Sequence, residues 1–120
     1  VATLAELMAA RPLHRDVSVK AWDGLTVRVA RLSRSEKMRI ATLASDVQKS
    51  PDDKDAQYEF CTELLATSIL DDEGRLMFAD PSAREWLDGE IAAVAELAQV
   101  AIDLNGLGDS GGEVEEKKSN

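Results

Sequence analysis

The sequence predicts an α+β fold, predominantly α-helical, with four to five helices, an N-terminal β-hairpin and a disordered acidic C-terminal tail. Three observations carry that reading. Residues 17–30, VSVKAWDGLTVRVA, alternate apolar and polar around Asp23-Gly24, the pattern of a hairpin with one buried face. Outside the hairpin, apolar residues recur at helical spacing behind cap signals at Thr3, Ser33 and Asp80. From Gly108 to Asn120 the chain is mostly Gly, Ser and charge, with too little apolar surface to offset the entropy of ordering. One folded domain over 1–107 and a tail over 108–120 follow.

Thr3-Leu4-Ala5-Glu6 has capping-box spacing, and Leu4, Leu7 and Met8 share the face of a helix that Pro12 keeps short. His14 falls in a basic loop with Arg11 and Arg15, where a lone histidine without a second ligand is solvated rather than catalytic. In the hairpin, a three-residue loop Trp22-Asp23-Gly24 pairs Ala21 with Leu25, Val19 with Val27 and Val17 with Val29. That register puts the aliphatic residues on one face and Ser18, Lys20, Thr26 and Arg28 on the other, with Gly24 left-handed. Trp22 then sits at the tip, either folded over the aliphatic face or presented to a partner.

A second capping box at Ser33-Arg34-Ser35-Glu36 starts a helix to about Val47, with Ile40, Leu43 and Val47 as its stripe. A polar break containing Pro51 separates it from a third helix, expected from Lys54 to about Leu70. Cys61 lies in that helix's apolar stripe with no histidine to activate it, and reads as packing. Asp71-Asp72-Glu73-Gly74 then stops the helix. Arg75–Phe78 reads as a short extended piece, and Asp80-Pro81 caps a helix whose Trp86 is expected in the core. Burial of Trp86 would make Trp86→Ala cost about 3–5 kcal/mol. The last helix, Glu90 to Leu104, is apolar over an arc wide enough to be covered on two sides, and Asn105-Gly106 ends it.

Two motifs fail on inspection. The three consecutive acids with Gly74 at the fourth position do not fit a calcium loop, which needs alternating ligands and glycine at the sixth. Gly106, Gly108 and Gly111 spell G-x-G-x-x-G, but they follow a helix and lead into acid, where a dinucleotide site needs a strand before and a helix after. No Ser-His-Asp set or P-loop is present, so no catalytic residue, cofactor or metal is expected, and neither is an enzyme.

Composition sets further bounds. The net charge is −9, divided as +4 over residues 1–50 and −13 over residues 51–120. Such acidity argues against nucleic acid as a partner. No apolar run approaches the roughly 20 residues of a membrane span, and the amino end lacks a basic segment leading into an apolar stretch, so neither a membrane nor a leader is expected. A single cysteine excludes an internal disulfide.

The hairpin VSVKAWDGLTVRVARLS leading into a helix, the segment FCTELLATSILDDEGRLMFADPSAREWL, and a helix reaching LNGL before a charged tail together resemble the tail assembly chaperones of long-tailed bacteriophages and prophages. The resemblance spans about residues 4–107 and implies a small, mainly helical, non-enzymatic protein. It implies a tape measure protein as partner, kept soluble while tail tube subunits are recruited, and through a frameshifted longer form a contact with the tail tube protein. Glu116-Lys117-Lys118 is compatible with the A-rich slippery site of such a frameshift. It further implies the host cell cytoplasm as location and absence from the mature virion. Self-association is a further expectation, from the wide apolar arc of the last helix. The residues expected to face a partner are Trp22, Leu97, Val100 and Leu104. The competing expectation, from another class, is a structural adaptor (tail completion or head–tail joining) retained in the particle.

Overall fold

A computed structural model describes residues 1–10 and 13–107. In chain order the elements are α1 (Leu4–Ala10), β1 (His14–Val19), a single 3-10 turn (Lys20–Trp22), β2 (Leu25–Ala30), α2 (Arg34–Gln48), α3 (Lys54–Ala66), β3 (Ile69–Leu70), α4 (Pro81–Asp88) and α5 (Ile91–Asn105). The fold is α+β and mainly helical, as the periodicity indicates. The expected disorder of 108–120, and two glycines of the G-x-G-x-x-G string, lie outside the described residues.

Local chemistry sets most element ends. Thr3 and Glu6 close their capping box in both directions, with the Thr3 amide on Glu6 Oε1 at 2.8 Å and the Glu6 amide on Thr3 Oγ1 at 3.2 Å. Ser33 accepts from the Glu36 amide, and Asp53 from the Ala56 amide. Asp80 accepts from the Ser82 amide, with Pro81 at the start of α4. These bonds satisfy amides that a helix start leaves without an intrahelical partner. Gly106 takes the left-handed conformation (φ 64°) that ends α5.

The strands form one antiparallel sheet in the order β1-β2-β3. Its register departs from the expected one by two residues: Val19 faces Leu25 and Val17 faces Val27, so the loop has five residues, Lys20 to Gly24. A shift of two preserves which face each side chain occupies, so Val19, Val27 and Val29 are still buried while Ser18, Thr26 and Arg28 are exposed. The longer loop is held from outside the hairpin. Glu96 of α5 accepts from the amides of Lys20 and Ala21 at 3.0 and 3.4 Å, and Asp23 and Gly24 are both left-handed. The strand also begins earlier than expected, for Arg15 faces Val29 and the Arg31 amide reaches Leu13 O at 2.7 Å. His14 is therefore the first residue of β1, and it is exposed.

The third helix is shorter than expected. It ends at Ala66, where the hydroxyls of Thr67 and Ser68 donate to the carbonyls of Glu63 and Leu64. The next two residues turn extended instead, so that Ile69 faces Val29 and Leu70 faces Arg28 on the free side of β2. Ile69 is fully buried there. Arg75–Phe78 in turn is no strand: only Leu76 bridges, to Leu70, across the turn closed by Gly74 (φ 81°). Asp71 Oδ1 accepts from the amides of Glu73 and Arg75, which makes the acidic stretch a side-chain-closed turn.

The core centres on α5, which packs on α3 on one side and on the hairpin on the other, with α4 at its amino end. Ala93, Val94, Leu97, Ala98, Ala101 and Leu104 are buried along it. Small alanines let the backbones approach while Leu97 and Leu104 fill the space between. Asn105, also buried, accepts from the Leu32 amide at 2.7 Å and donates to Ala101 O at 2.9 Å. It ties the end of α5 to the segment that follows the hairpin.

Candidate functional site: an aromatic groove

The hairpin loop, the 75–80 segment and α4 converge on one surface. The sequence places Ala83 and Leu87 four apart, so these two turn toward the core, Leu87 completely and Ala83 in part. Trp86, one position from Leu87, is left on the flank. Its ring lies 5.6 Å from that of Trp22 and 6.2 Å from that of Phe78, nearly parallel to the latter at 7°. Trp22 is fixed at its polar end by donating Nε1–H to Glu90 Oε1 at 2.6 Å. Trp22, Trp86 and Phe78 thus form a row, and Leu25, Val27 and Met77 continue it. Together with Ala21, Asp23 and Thr26 they line a shallow groove of about 550 Å³. Leu25 is 68% and Trp86 54% exposed. Clustered aromatics with one face to water make an exposed apolar patch of the sort that marks interaction sites.

This overturns two expectations. Trp86 is not a core anchor; Leu87 holds that place, in line with Ala83 one turn before it, while Trp86 lies about 100° round the helix on the exposed flank. Trp86→Ala is accordingly predicted to cost about 1–2 kcal/mol, the worth of a half-covered ring and its stacking partners, and thermal melts check it. Of the four residues expected to face a partner, only Trp22 lines the groove. Leu97 and Leu104 are buried in the core and Val100 packs half-buried against it. The arc of α5 that suggested a partner surface is covered by α3 and the hairpin of the same chain. Leu25, Met77 and Trp86 were missed, although the Ala83–Leu87 spacing already placed Trp86 off the inward line.

A second concavity, of about 490 Å³, runs between α2 and α3 over Leu43, Val47 and Phe60. At its end Glu63 is clamped by two guanidinium groups, Arg39 Nη1 at 2.7 Å and Arg84 Nη1 at 2.9 Å, which join α2, α3 and α4. Burial pushes the Glu63 carboxyl up, but the bonds from Arg39 and Arg84 together outweigh it and hold the group below the usual carboxylate range. A carboxylate depressed in the folded state stabilises above its unfolded pKa, about 4.3, and that stabilisation is lost as pH falls through the folded value. Glu63→Gln is therefore predicted to lower the urea midpoint at neutral pH, with the difference from the native chain closing as the pH drops below about 4.

Cys61 is half-buried in the α3 stripe, and burial pushes its thiol up, away from the thiolate. Among the described residues no three His, Cys, Asp or Glu side chains stand close enough to hold a metal ion, and no helix is long and apolar enough to cross a membrane.

The fold is that of a small domain with an exposed aromatic groove. No family model, curated protein or solved structure matches the chain.

Proposed function

We propose that this chain is a non-enzymatic binding protein of the tail-assembly-chaperone kind. It covers apolar helical stretches of a phage tape measure protein in the host cytoplasm, keeps that protein soluble during tail assembly, and is left out of the finished virion. The observation that supports this reading best is the Trp22–Trp86–Phe78 row with Leu25 and Met77 beside it. A tape measure protein presents long apolar helical stripes before the tube encloses it, and such a stripe is read by a hydrophobic groove that takes side chains three and four apart. The net charge of −9 keeps a chain with this much exposed apolar surface in solution.

Co-expression with the tape measure protein of the same genome tests the reading. The tape measure protein is expected to move into the soluble fraction and to elute with this chain, and Trp86→Ala is expected to abolish most of that gain. Unchanged insolubility overturns the proposal. Mass spectrometry of purified virions separates it from an adaptor role: finding the chain at stoichiometric copy number would contradict a chaperone.

A further inference from the structure

The aromatic groove does not end at Met77. Thr26, Val27 and Met77 line it and also line a second concavity, of about 440 Å³, which is bounded further on by Asp16, Arg28, Asp71 and Asp72. The two make one trough, aromatic at the Trp22–Trp86 end and charged at the other. Strand pairing explains it. β3 pairs with β2 only at Arg28 and Val29, so Thr26 and Val27 have no strand on that side. Past Leu70 the chain enters the acidic turn that Asp71 closes, which brings the turn's carboxylates to the edge of the trough.

The charges along the trough do not balance. Asp23 lines the aromatic end, and Asp16, Asp71 and Asp72 line the other, against a single cation, Arg28. Arg28 is engaged by Asp16, with Nε 2.8 Å from Oδ1 and Nη2 3.2 Å from Oδ2. Two further cations flank the trough without lining it. Arg75 pairs with Asp71 and Glu73, and Lys20 precedes the loop. On the α4 side stand Glu85, Asp88 and Glu90, while Arg84 is held by Glu63. Among the described residues no cation pairs with Asp23 or Asp72. Such a border repels phosphate, and so disfavours nucleic acid or an anionic lipid surface over the exposed rings. It favours a polypeptide that brings cations with its apolar side chains.

We propose that the trough takes a basic amphipathic helix. The helix seats an aliphatic stripe on Trp22, Leu25, Met77 and Trp86, and the Lys or Arg residues flanking that stripe meet Asp23 and Asp72. The aliphatic stem of such a side chain lies along the exposed Trp86 ring while its charged head reaches a carboxylate. This rests on the reading of the groove as the seat of a helical stripe, and adds the charge that the stripe carries.

The test uses the full chain and two synthetic peptides of about 18 residues, long enough to be helical. Both carry leucines three and four apart; lysines flank the stripe in one and glutamines in the other. Calorimetric titration into the native chain is expected to show the lysine peptide binding about fivefold tighter, the scale of exposed ion pairs, with the preference shrinking as salt is raised. In the chain carrying Asp23→Asn and Asp72→Asn together the preference is expected to vanish, while the glutamine peptide binds as it does to the native chain. Asparagine keeps the left-handed backbone of residue 23 accessible. Equal affinity of the two peptides for the native chain overturns the inference, as does binding of neither. So does a preference that survives the double substitution, which would put the basic contact elsewhere. Equal affinity in a chain that still solubilises the tape measure protein overturns this inference and leaves the proposed function standing. A preference in a chain that fails to solubilise it does the reverse.

Discussion

Leu97→Ala is expected to remove about 3–5 kcal/mol of unfolding free energy. Leu97 is fully buried midway along α5, where the helix is covered by α3 on one side and by the hairpin on the other. Its neighbours cannot collapse into the space it would vacate. Ala93 and Ala101 of the same core cluster are too short to fill it, and Val19, Leu64 and Leu65 are held by their own strand and helix. The cost therefore includes the cavity as well as the lost transfer energy. Against the roughly 5–15 kcal/mol typical of a domain, that loss is about a fifth or more of the total, and it should lower the melting temperature by roughly 12–20 °C. A loss under about 1 kcal/mol, by urea titration, would mean that α5 is not the centre of the core.

Asn105→Leu is expected to cost about 2–3 kcal/mol although it keeps the volume of the side chain. Asn105 is 1% exposed. Its Oδ1 is the acceptor for the Leu32 amide, at the junction where the chain leaves β2 for α2. Leucine fills the site and offers no acceptor, so that amide is left desolvated without a partner. The loss should appear locally before it appears globally. Hydrogen exchange at Leu32 should speed up by more than at neighbouring amides such as Ile40, and a uniform change would contradict the assigned role.

The parts of the fold that rest on near neighbours could be read from the residues. Thr3 with Glu6, Ser33 with Glu36, Asp80 with Pro81, and Gly106 all sit where a cap needs that chemistry, and none depends on anything more than a few residues away. The hairpin's faces were legible because alternation is local. Its register was not, since a slip of two leaves every face unchanged. What decides it is Glu96, some 75 residues further on, accepting from the loop amides. The end of α3 was hidden for a similar reason: Ile69 and Leu70 continue a helical stripe, and only the free side of β2 makes an extended conformation better. Trp86 shows the limit most clearly. Its size argues for burial, while its position beside Leu87 argues against, and the inward line of α4 decided in favour of Leu87. The groove could not be read at all from spacing, because Trp22, Met77 and Trp86 come from three separate segments.

The role given to that groove is tested most directly by one affinity. A tape measure segment with an aliphatic helical stripe is titrated calorimetrically into the native chain and into the chain carrying Trp86→Ala. Loss of a central aromatic anchor should weaken binding by about thirtyfold or more, corresponding to about 2 kcal/mol, while both proteins remain folded at the temperature of the titration. Equal affinity for the two would contradict the account, and would place the binding surface elsewhere on the molecule.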